Sequence, residues 1–370
     1  GLVELNASEF NLLDDIMAGV ANVQKKYDGE LEPPTYEEAI ASRRADEWQE
    51  MMAREWHALV EMETFTLCDL PPSRKPINCK WIYKVKKLAD GSVDRLKARL
   101  CAVGTSQREG VDYEATFAPV VRLENLRSVL AYGAVNDLEI HQMDVDSAFL
   151  NGILEEEIYM KQLKGFINPD RPNAVLRLNR SIYGLKQAPR VWNLVLSAYL
   201  LGKGFAQSAA DPCIFFHHSN AGLVIVAVYV DDCCIVAGKE RLEWVKSILH
   251  QGFKMKDLGE VKSLLGIQVT HDRQRRRLKL VQGGIIRDVL EAAGMVECKP
   301  VSTPMEPGLR LKRNETDPAI MTTFPYQKLI GMLLYLSVGT RPDIAYPVNY
   351  LSRFVTYYDE SHWSAVKRVL

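Results

Sequence analysis

The sequence predicts an α+β protein, because helix-like and strand-like patterns occupy separate stretches of the chain. Apolar residues in 48–59 recur every three or four positions, which is the spacing of one face of a helix. Residues 80–86 and 93–101 instead alternate with the period of a strand. Residues 223–230 and 233–237 are short apolar runs rich in β-branched side chains, and they predict a hairpin of two largely buried strands.

Further elements follow from the same periodicities. Thr35 and Glu38 have capping-box spacing and predict the start of a helix. Helices are also predicted over 122–135, 191–201, 240–252, 285–293 and 326–338. Strands are predicted over 138–145, 264–270 and 278–282, and a loop over 181–189. The resulting order of strand, helix, strand, strand, helix, strand is that of a ferredoxin-like split βαβ core.

Length and composition narrow the class of protein. With 370 residues, the chain is long enough for two or three subdomains. The apolar run 222–230 is far too short to span a bilayer, which takes about 20 residues. The first residues lack the basic start and apolar block of a secretory signal. Seven scattered cysteines without a Cys-x-x-Cys pair favour neither a zinc site nor a disulfide framework, and they suit a reducing intracellular compartment.

The net charge of −1 conceals an uneven distribution. Residues 1–70 hold 16 acidic and 5 basic residues, whereas the remaining 300 residues hold 31 acidic and 41 basic ones. A basic body suits a polyanionic partner, although a solvated surface with uneven charge would give the same counts.

Two adjacent aspartates are the sharpest local feature. Asp231 and Asp232 lie at the tip of the hairpin predicted from the apolar runs, and Asp144 ends another predicted strand. Neighbouring carboxylates repel each other unless a cation neutralises them, and hard oxygen ligands select Mg²⁺ or Mn²⁺. Three carboxylates can hold two ions about 4 Å apart, the arrangement used in phosphoryl transfer. Paired aspartates are also common in ordinary turns.

A second candidate surface is cationic. Asp90 and Gly91 supply a hairpin turn, and in the strand that follows it Arg95, Lys97 and Arg99 share one face. Such a face is either solvated or laid over phosphates.

A series of motifs carries a family resemblance. They are KW (80–81), KARL (97–100), FAPVV (117–121), HQMDV (141–145), AFLNG (148–152), YGLKQAPR (183–190), ADPC (210–213), YVDD (229–232), MKDLGE (255–260), LGI (265–267), PVSTP (300–304) and TRPDIA (340–345). In this order and spacing they resemble the reverse transcriptase of copia-type long-terminal-repeat retrotransposons, which is part of a Pol polyprotein.

The resemblance implies a right-hand polymerase with fingers, a ferredoxin-like palm and a helical thumb. The implied bounds are 1–34 for an acidic extension, 35–118 and 155–189 for the fingers, 119–154 and 190–270 for the palm, 271–325 for the thumb and 326–370 for a helical connection. A ribonuclease H domain is expected to follow, so the chain is expected to be a piece of a longer protein.

The resemblance also implies roles for individual residues. Asp144 and Asp231 resemble the metal ligands, with Asp232 as the weaker carboxylate, and the implied cofactor is Mg²⁺, with Mn²⁺ as the alternative. The implied nucleotide-binding residues are Lys97 and Arg99 on the triphosphate, Phe149 as the gate against a ribose 2′-hydroxyl and Gln187 beside the nucleotide. The implied primer or template contacts are Tyr229, Leu265, Gly266, Arg275 and Arg276. Phe149 is equally well explained as a core residue.

The expected function is RNA-directed DNA synthesis, copying retrotransposon RNA into cDNA. The expected partners are an RNA template, an RNA/DNA or DNA/DNA primer duplex, deoxynucleotides and other Pol domains such as ribonuclease H and integrase, with no membrane. The expected location is the cytoplasm, within virus-like particles, or the nucleus. Departures from the family motifs, such as Val103 and the Cys233-Cys234 pair, leave open a catalytically impaired or repurposed nucleic-acid-binding fragment. A metal-dependent nuclease would use similar carboxylates but would not explain the surroundings of Phe149 and Gln187.

Overall fold

The computed structural model describes residues 32–87, 92–313 and 324–370. The chain divides into two compact units. The large unit contains the described residues of Glu30–Arg122 and Leu138–Glu260, and the small unit contains Leu123–Asp137 and the described residues of Val261–Leu370. The mixture of helices and antiparallel strands confirms the α+β class predicted from the sequence.

The described helices are α1 (Tyr36–Ala41), α2 (Ala45–Glu61), α3 (Leu123–Val135), α4 (Ala188–Gly202), α5 (Lys239–Gly252), α6 (Gly283–Ala292), α7 (Tyr326–Gly339), α8 (Ala345–Ser352) and α9 (Glu360–Val369). The described strands are β1 (Phe65–Cys68), β2 (Cys79–Lys87), β3 (Val93–Ala102), β4 (Glu139–Val145), β5 (Ile153–Lys161), β6 (Val175–Arg180), β7 (Ala206–Gln207), β8 (Ile214–Ser219), β9 (Gly222–Tyr229), β10 (Asp232–Ala237), β11 (Met255–Glu260), β12 (Ser263–Leu264), β13 (Ile267–Asp272) and β14 (Arg277–Val281). No helix in these ranges is long and apolar enough to cross a membrane.

The large unit is organised around a six-stranded antiparallel sheet with the order β11-β4-β10-β9-β8-β7. Helix α4 lies between β4 and β9 in the chain, and α5 lies between β10 and β11, which is the split βαβ order. Its last strand is β11, however, and not the strand predicted over 264–270, which lies in the separate sheet of the small unit. Side chains from one face of the sheet, such as Met143 and Val226, pack with Trp192 of α4 and Leu249 of α5 in one buried cluster. This packing fixes the strands β4 and β10, whose ends carry Asp144 and Asp232.

The rest of the large unit has its own core. Helix α2 buries Trp48, Met52 and Leu59, as the helical periodicity predicts, and these residues pack in one cluster with Leu96 and Leu100 of β3. The hairpin β2–β3 and the three-stranded sheet β1-β6-β5 contribute to the same cluster. The cluster contains Leu96, Ala98 and Leu100 of β3, and it thereby fixes the strand that carries Lys97 and Arg99.

The small unit is mainly helical. Helices α6 to α9 surround a core in which α7 is buried on nearly every side. Helix α3 joins this unit through contacts with α7, and the guanidinium of Arg127 donates a hydrogen bond to the Gly339 carbonyl at 3.2 Å. The strands β12, β13 and β14 form the sheet of this unit.

The structure corrects several sequence expectations. Helix α4 begins at Ala188 and not at residue 191, because Pro189 occupies the first turn, where a missing N–H costs nothing. The strand expected over 264–270 is interrupted at Leu265 and Gly266, whose positive φ angles of 50° and 71° form a two-residue hairpin turn. The expected turn residues Asp90 and Gly91 lie outside the described residues.

Candidate active site

Four side chains lie in a row across the central sheet. In the register of the strands, Asp232 on β10 is opposite both Tyr229 on β9 and Asp144 on β4, and Asp144 is opposite Lys256 on β11. Directly opposed residues in a sheet point to the same face. The sheet therefore brings Asp144, Asp232 and Tyr229 together on one face, although these residues are up to 88 positions apart in the sequence.

The turn that carries Asp231 has a constrained backbone. Val230 has a φ of 56°, in the left-handed region that a β-branched residue rarely adopts. Its carbonyl accepts a hydrogen bond from Trp192 Nε1 at 2.7 Å, and the Asp231 carbonyl accepts one from the Val145 amide at 2.9 Å. These bonds, from helix α4 and from the end of β4, hold the turn in place against the backbone strain.

The carboxylates destabilise each other's charged forms. Burial raises the pKa of Asp144, and repulsion from Asp231 and Asp232 adds to the effect. Burial also raises the pKa of Asp232, against a hydrogen bond that Gln142 Nε2 donates to its Oδ1 at 2.7 Å. Crowded, half-buried carboxylates of this kind gain free energy from a bound cation.

The donor chemistry of this site fits a hard divalent ion, because all three aspartates offer carboxylate oxygens. Among the described residues, however, no group of three or more His, Cys, Asp or Glu side chains has already converged into a ligand set. The backbone thus places the carboxylates as neighbours, and their side chains would have to rotate to share an ion.

Lys97 and Arg99 lie on the face of β3 predicted to be cationic. Both are half-buried, whereas Leu96, Ala98 and Leu100 between and beside them are buried, as the period-two pattern predicts. Burial lowers the pKa of Lys97, and the neighbouring charge of Arg99 adds to that shift. Lys97 in turn lowers the pKa of Asp144, which shows that its ammonium group lies within electrostatic reach of the aspartates.

Phe149 belongs to a group of stacked side chains. It lies in a short 3₁₀ helix, Ala148–Asn151, that follows directly on the end of β4. Its ring meets the ring of Tyr183 edge to face with centroids 4.8 Å apart, and the Arg99 guanidinium lies 4.3 Å from the centroid of the Tyr183 ring. The structure therefore connects the predicted gate with a predicted phosphate-binding cation.

Tyr183 and Glu55 are site residues that sequence reasoning missed. Burial raises the pKa of Tyr183 to about 12, and the charges of Arg99, Asp231 and Asp144 also act on it. Burial raises the pKa of Glu55 on α2, and Arg99 opposes that rise. The glycine that follows Tyr183 was a usable sequence signal for a tightly constrained backbone. Gly184 has a φ of 89°, and a Cβ there would lie 2.0 Å from the Ala102 carbonyl oxygen.

The side chain of Gln187 is engaged in hydrogen bonds within the protein. Its side chain is buried, and Nε2 donates to the Asp112 carbonyl at 2.8 Å and to Glu156 Oε1 at 3.1 Å. Its Oε1 accepts a hydrogen bond from Gln107 Nε2 at 2.9 Å. Both amide protons are therefore already used within the protein, and a direct nucleotide contact by Gln187 stays a prediction.

Four predicted primer or template residues belong to the small unit. Leu265 and Gly266 form the β12–β13 turn, and the Leu265 carbonyl accepts a hydrogen bond from the Tyr335 hydroxyl. Arg275 and Arg276 are exposed in the β13–β14 turn, where Arg275 approaches Asp272 at 3.7 Å. The contacts of these residues with primer or template stay a prediction.

Residues 62–307 match a family described as "Reverse transcriptase (RNA-dependent DNA polymerase)". That range includes all twelve residues singled out from the sequence as catalytic, nucleotide-binding or primer- and template-contacting.

Curated relatives come from transposons. A "Retrovirus-related Pol polyprotein from transposon TNT 1-94" of Nicotiana tabacum is 38% identical over 92% of this chain and 26% of the relative. The corresponding protein from transposon RE1 of Arabidopsis thaliana is 39% identical over 95% of this chain and 24% of the relative. A putative transposon Ty5-1 protein of Saccharomyces cerevisiae is 35% identical over 62% of this chain and 74% of that protein. The chain spans about a quarter of the two plant polyproteins.

Proposed function

Since this chain belongs to the reverse transcriptase family of copia-type retrotransposons, we propose that it is an RNA-directed DNA polymerase that extends a primer along a retrotransposon RNA template. One observation carries the proposal: the sheet register sets Asp144 directly beside Asp232 on the face next to the Asp231 turn. A non-catalytic binding module would gain nothing from carboxylates that repel each other.

The three aspartates would hold the divalent ions of the reaction, with Mg²⁺ or Mn²⁺ suited to their oxygen donors. Asp144 and Asp231 are the proposed bridging ligands, and Asp232, which is held by Gln142, is the supporting carboxylate. When bound, such ions supply activation of the primer 3′-hydroxyl and offset the charge that develops on the transferred phosphoryl group.

The residues around the aspartates would bind the incoming deoxynucleotide. Lys97 and Arg99 offer positive charge to its triphosphate, and Lys97 acts electrostatically on Asp144. The ring of Phe149, held by Tyr183, is the proposed barrier to a ribose 2′-hydroxyl. Tyr229, Leu265, Gly266, Arg275 and Arg276 remain the proposed primer and template contacts.

The architecture is proposed to be that of a right hand. The central sheet with α4 and α5 corresponds to a palm, and the β2–β3 hairpin with α2 corresponds to fingers. The helical small unit supplies a thumb and the start of a connection. Within a full polyprotein, ribonuclease H and integrase are the proposed neighbouring domains, and virus-like particles in the cytoplasm or the nucleus are the proposed location.

A primer-extension assay tests the function directly. On a poly(rA) template with an oligo(dT) primer and Mg²⁺, the purified chain should extend the primer, and Asp231→Asn should abolish extension while duplex binding persists. Asp170→Asn is the matched control, because Asp170 is an exposed aspartate in the loop between β5 and β6. Equal extension by the wild type and Asp231→Asn would refute the mechanism.

The same assay distinguishes a polymerase from a nucleic-acid-binding fragment and from a nuclease. A repurposed nucleic-acid-binding fragment would bind the template–primer with wild-type aspartates and yet add no nucleotide. A nuclease would shorten the labelled primer or template in the same reactions, which the gel would record.

A further inference from the structure

The small unit carries a surface that none of the proposed contacts uses. On α8 and its C-terminal end, Tyr346, Tyr350 and Arg353 follow each other at helical spacings of four and three and therefore share one face. We name this the tyrosine–arginine surface, and its members are Lys312, Arg313, Tyr346, Tyr350, Arg353 and Tyr357.

Contacts link Tyr350 with Leu311 and with Arg353, and they link Arg313 with Tyr357. The Tyr350 hydroxyl accepts a hydrogen bond from the Leu311 amide at 2.9 Å, which holds residues 311–313 beside α8. The Arg353 guanidinium lies 5.9 Å from the centre of the Tyr350 ring, and that of Arg313 lies 5.3 Å from the centre of the Tyr357 ring. Both distances fall within the range of cation–π attraction.

The cations of this patch have no acidic partner among the described residues. Lys312, Arg313 and Arg353 are all exposed, and none takes part in an ion pair within those ranges. Two other arginines of the same unit behave differently: Arg341 pairs with Asp343 at 2.7 Å, and Arg368 pairs with Glu306 at 3.4 Å. The patch therefore presents positive charge that a polyanion could neutralise.

Two tyrosines of the patch, Tyr346 and Tyr357, lie outside the core, whereas Tyr350 is half-buried and packs against the small-unit cluster. On the opposite side of α8, Val348 and Leu351 are buried in the small-unit cluster and hold the helix in place. Tyr346, by contrast, is 72% exposed and Tyr357 is 42% exposed. An aromatic ring that is this exposed offers a flat face on which a base can stack. A polar residue at the same position would satisfy the fold equally well.

We infer that the tyrosine–arginine surface binds a nucleic-acid strand, with Arg313 and Arg353 on successive phosphates and Tyr346 stacked on an unpaired base. Arginine suits this role because its guanidinium can stack on a ring and still donate hydrogen bonds to phosphate oxygens. Cations without an acidic partner in the described ranges, beside the exposed rings of Tyr346 and Tyr357, suit a strand that offers both phosphates and bases. The inference rests on the proposed polymerase function, which supplies the nucleic acid.

Fluorescence anisotropy tests the inference on the whole chain, with a labelled single-stranded 20-mer and with the matching duplex over a range of salt concentrations. Each phosphate contact makes the slope of log affinity against log salt more negative by about 0.7 for a single strand. The variant Arg313→Ala/Arg353→Ala should therefore make the slope less negative by about 1.4 on the single strand. Arg341→Ala, whose guanidinium is already paired with Asp343, is the matched control and should leave the slope unchanged.

Tyr346→Ala tests the stacking part separately. It should weaken binding of the single strand by about tenfold, the size of one base–aromatic stack, and should change duplex binding much less. Equal weakening of both ligands would refute stacking by Tyr346. A salt slope for the double arginine variant equal to that of Arg341→Ala would overturn the proposed surface.

Parallel measurements separate this inference from the polymerase proposal. Thermal unfolding of each variant should match the wild type, because the altered side chains are outside the small-unit core. If the wild type extends primers while the arginine variants bind like the control, the surface is wrong and the polymerase stands. If the salt slope of the double arginine variant becomes less negative but the wild type extends no primer, the surface stands and the polymerase proposal fails.

Discussion

The ring of Phe149 is held by neighbouring side chains. It packs on Tyr183, and Tyr183 is itself covered by the Arg99 guanidinium, so three side chains support one another. A rigid ring is what a steric barrier requires, since a ring free to rotate would admit a ribose 2′-hydroxyl at little cost. If Phe149 is the proposed barrier, Tyr183 would act on sugar selection through Phe149.

Phe149→Ala should raise the use of ribonucleotides relative to deoxynucleotides by at least tenfold, because the barrier is removed while the aspartates are untouched. Competitive incorporation of dTTP and UTP on poly(rA) measures the ratio. Tyr183→Phe keeps the ring that supports Phe149 and should keep the wild-type ratio. An unchanged ratio in Phe149→Ala would leave Phe149 as a core residue only.

The sequence predicted the aspartates better than it predicted Gln187. Asp144 and Asp232 are close because strand register is a consequence of alternation and burial, which are visible in the sequence. The hydrogen bonds of Gln187 depend on Gln107, Asp112 and Glu156, which come from three other segments. No local pattern reports such long-range pairing, so the saturated amide could not be foreseen.

The turn between β9 and β10 depends on a donor from another element. Trp192 on α4 donates to the carbonyl of the strained Val230, one residue before Asp231. Trp192→Phe keeps most of the packing but leaves this carbonyl without its donor, at a cost of about 1–3 kcal/mol. The loss should fall on the turn, so primer extension should decrease by more than tenfold while the midpoint of unfolding shifts only modestly.

Tyr199→Phe is the control for this element. Tyr199 lies on the same helix, and its hydroxyl donates a hydrogen bond to the Ile248 carbonyl at 2.6 Å. That change should cost similar stability without affecting primer extension. If the two variants lose activity in proportion to their stability, the turn has no special dependence on Trp192.

Helix α9 depends on a charged cap. Asp359 accepts hydrogen bonds from the Ser361 and His362 amides, and the side chain of His362 completes a capping box. Burial opposes the shift, but the hydrogen bonds from Ser361 and His362 lower the pKa of Asp359 to about 2. Because the folded pKa lies below the ordinary value, the carboxylate stabilises the fold above about pH 4 and loses that contribution as the pH falls toward 2.

Asp359→Asn should remove this pH dependence, since asparagine caps a helix well but does not titrate. The difference in unfolding free energy between the wild type and the variant, measured by urea denaturation, should be constant from pH 7 to 5 and shrink between pH 4 and 2. A difference that is independent of pH would show that the charge of Asp359 contributes nothing.

Elements were predictable where the burial of their residues followed a regular pattern. Strand β3 alternates, and strands β9 and β10 are continuously apolar, so the sequence located them within one or two residues. Strand β5 was missed because three consecutive glutamates, Glu155–Glu157, interrupt its apolar pattern, although Ile158 to Met160 are buried. Glu156 is half-buried and accepts a hydrogen bond from Gln187, a pairing that the local sequence does not reveal.

At the scale of the molecule, the position of a segment along the chain does not determine which unit it joins. Residues 123–137 belong to the small unit, although the segments before and after them belong to the large unit. Periodicity identifies the helix there but cannot indicate which core the helix joins, because that is decided by distant residues such as Gly339. The two units have separate buried clusters, so each has its own source of stability.

Two separate cores should unfold in two transitions, as multidomain chains commonly do. Trp363 reports on the small unit, where it stacks on Phe324 at 5.1 Å, and the other five tryptophans lie in the large unit. In urea, far-UV circular dichroism should show two transitions in Trp363→Phe, whereas tryptophan fluorescence of that variant should retain only the large-unit transition. Trp244→Phe, which alters a half-buried large-unit residue, should keep both transitions in fluorescence. Coincident circular dichroism and fluorescence curves in Trp363→Phe would mean that the two cores unfold as one cooperative structure.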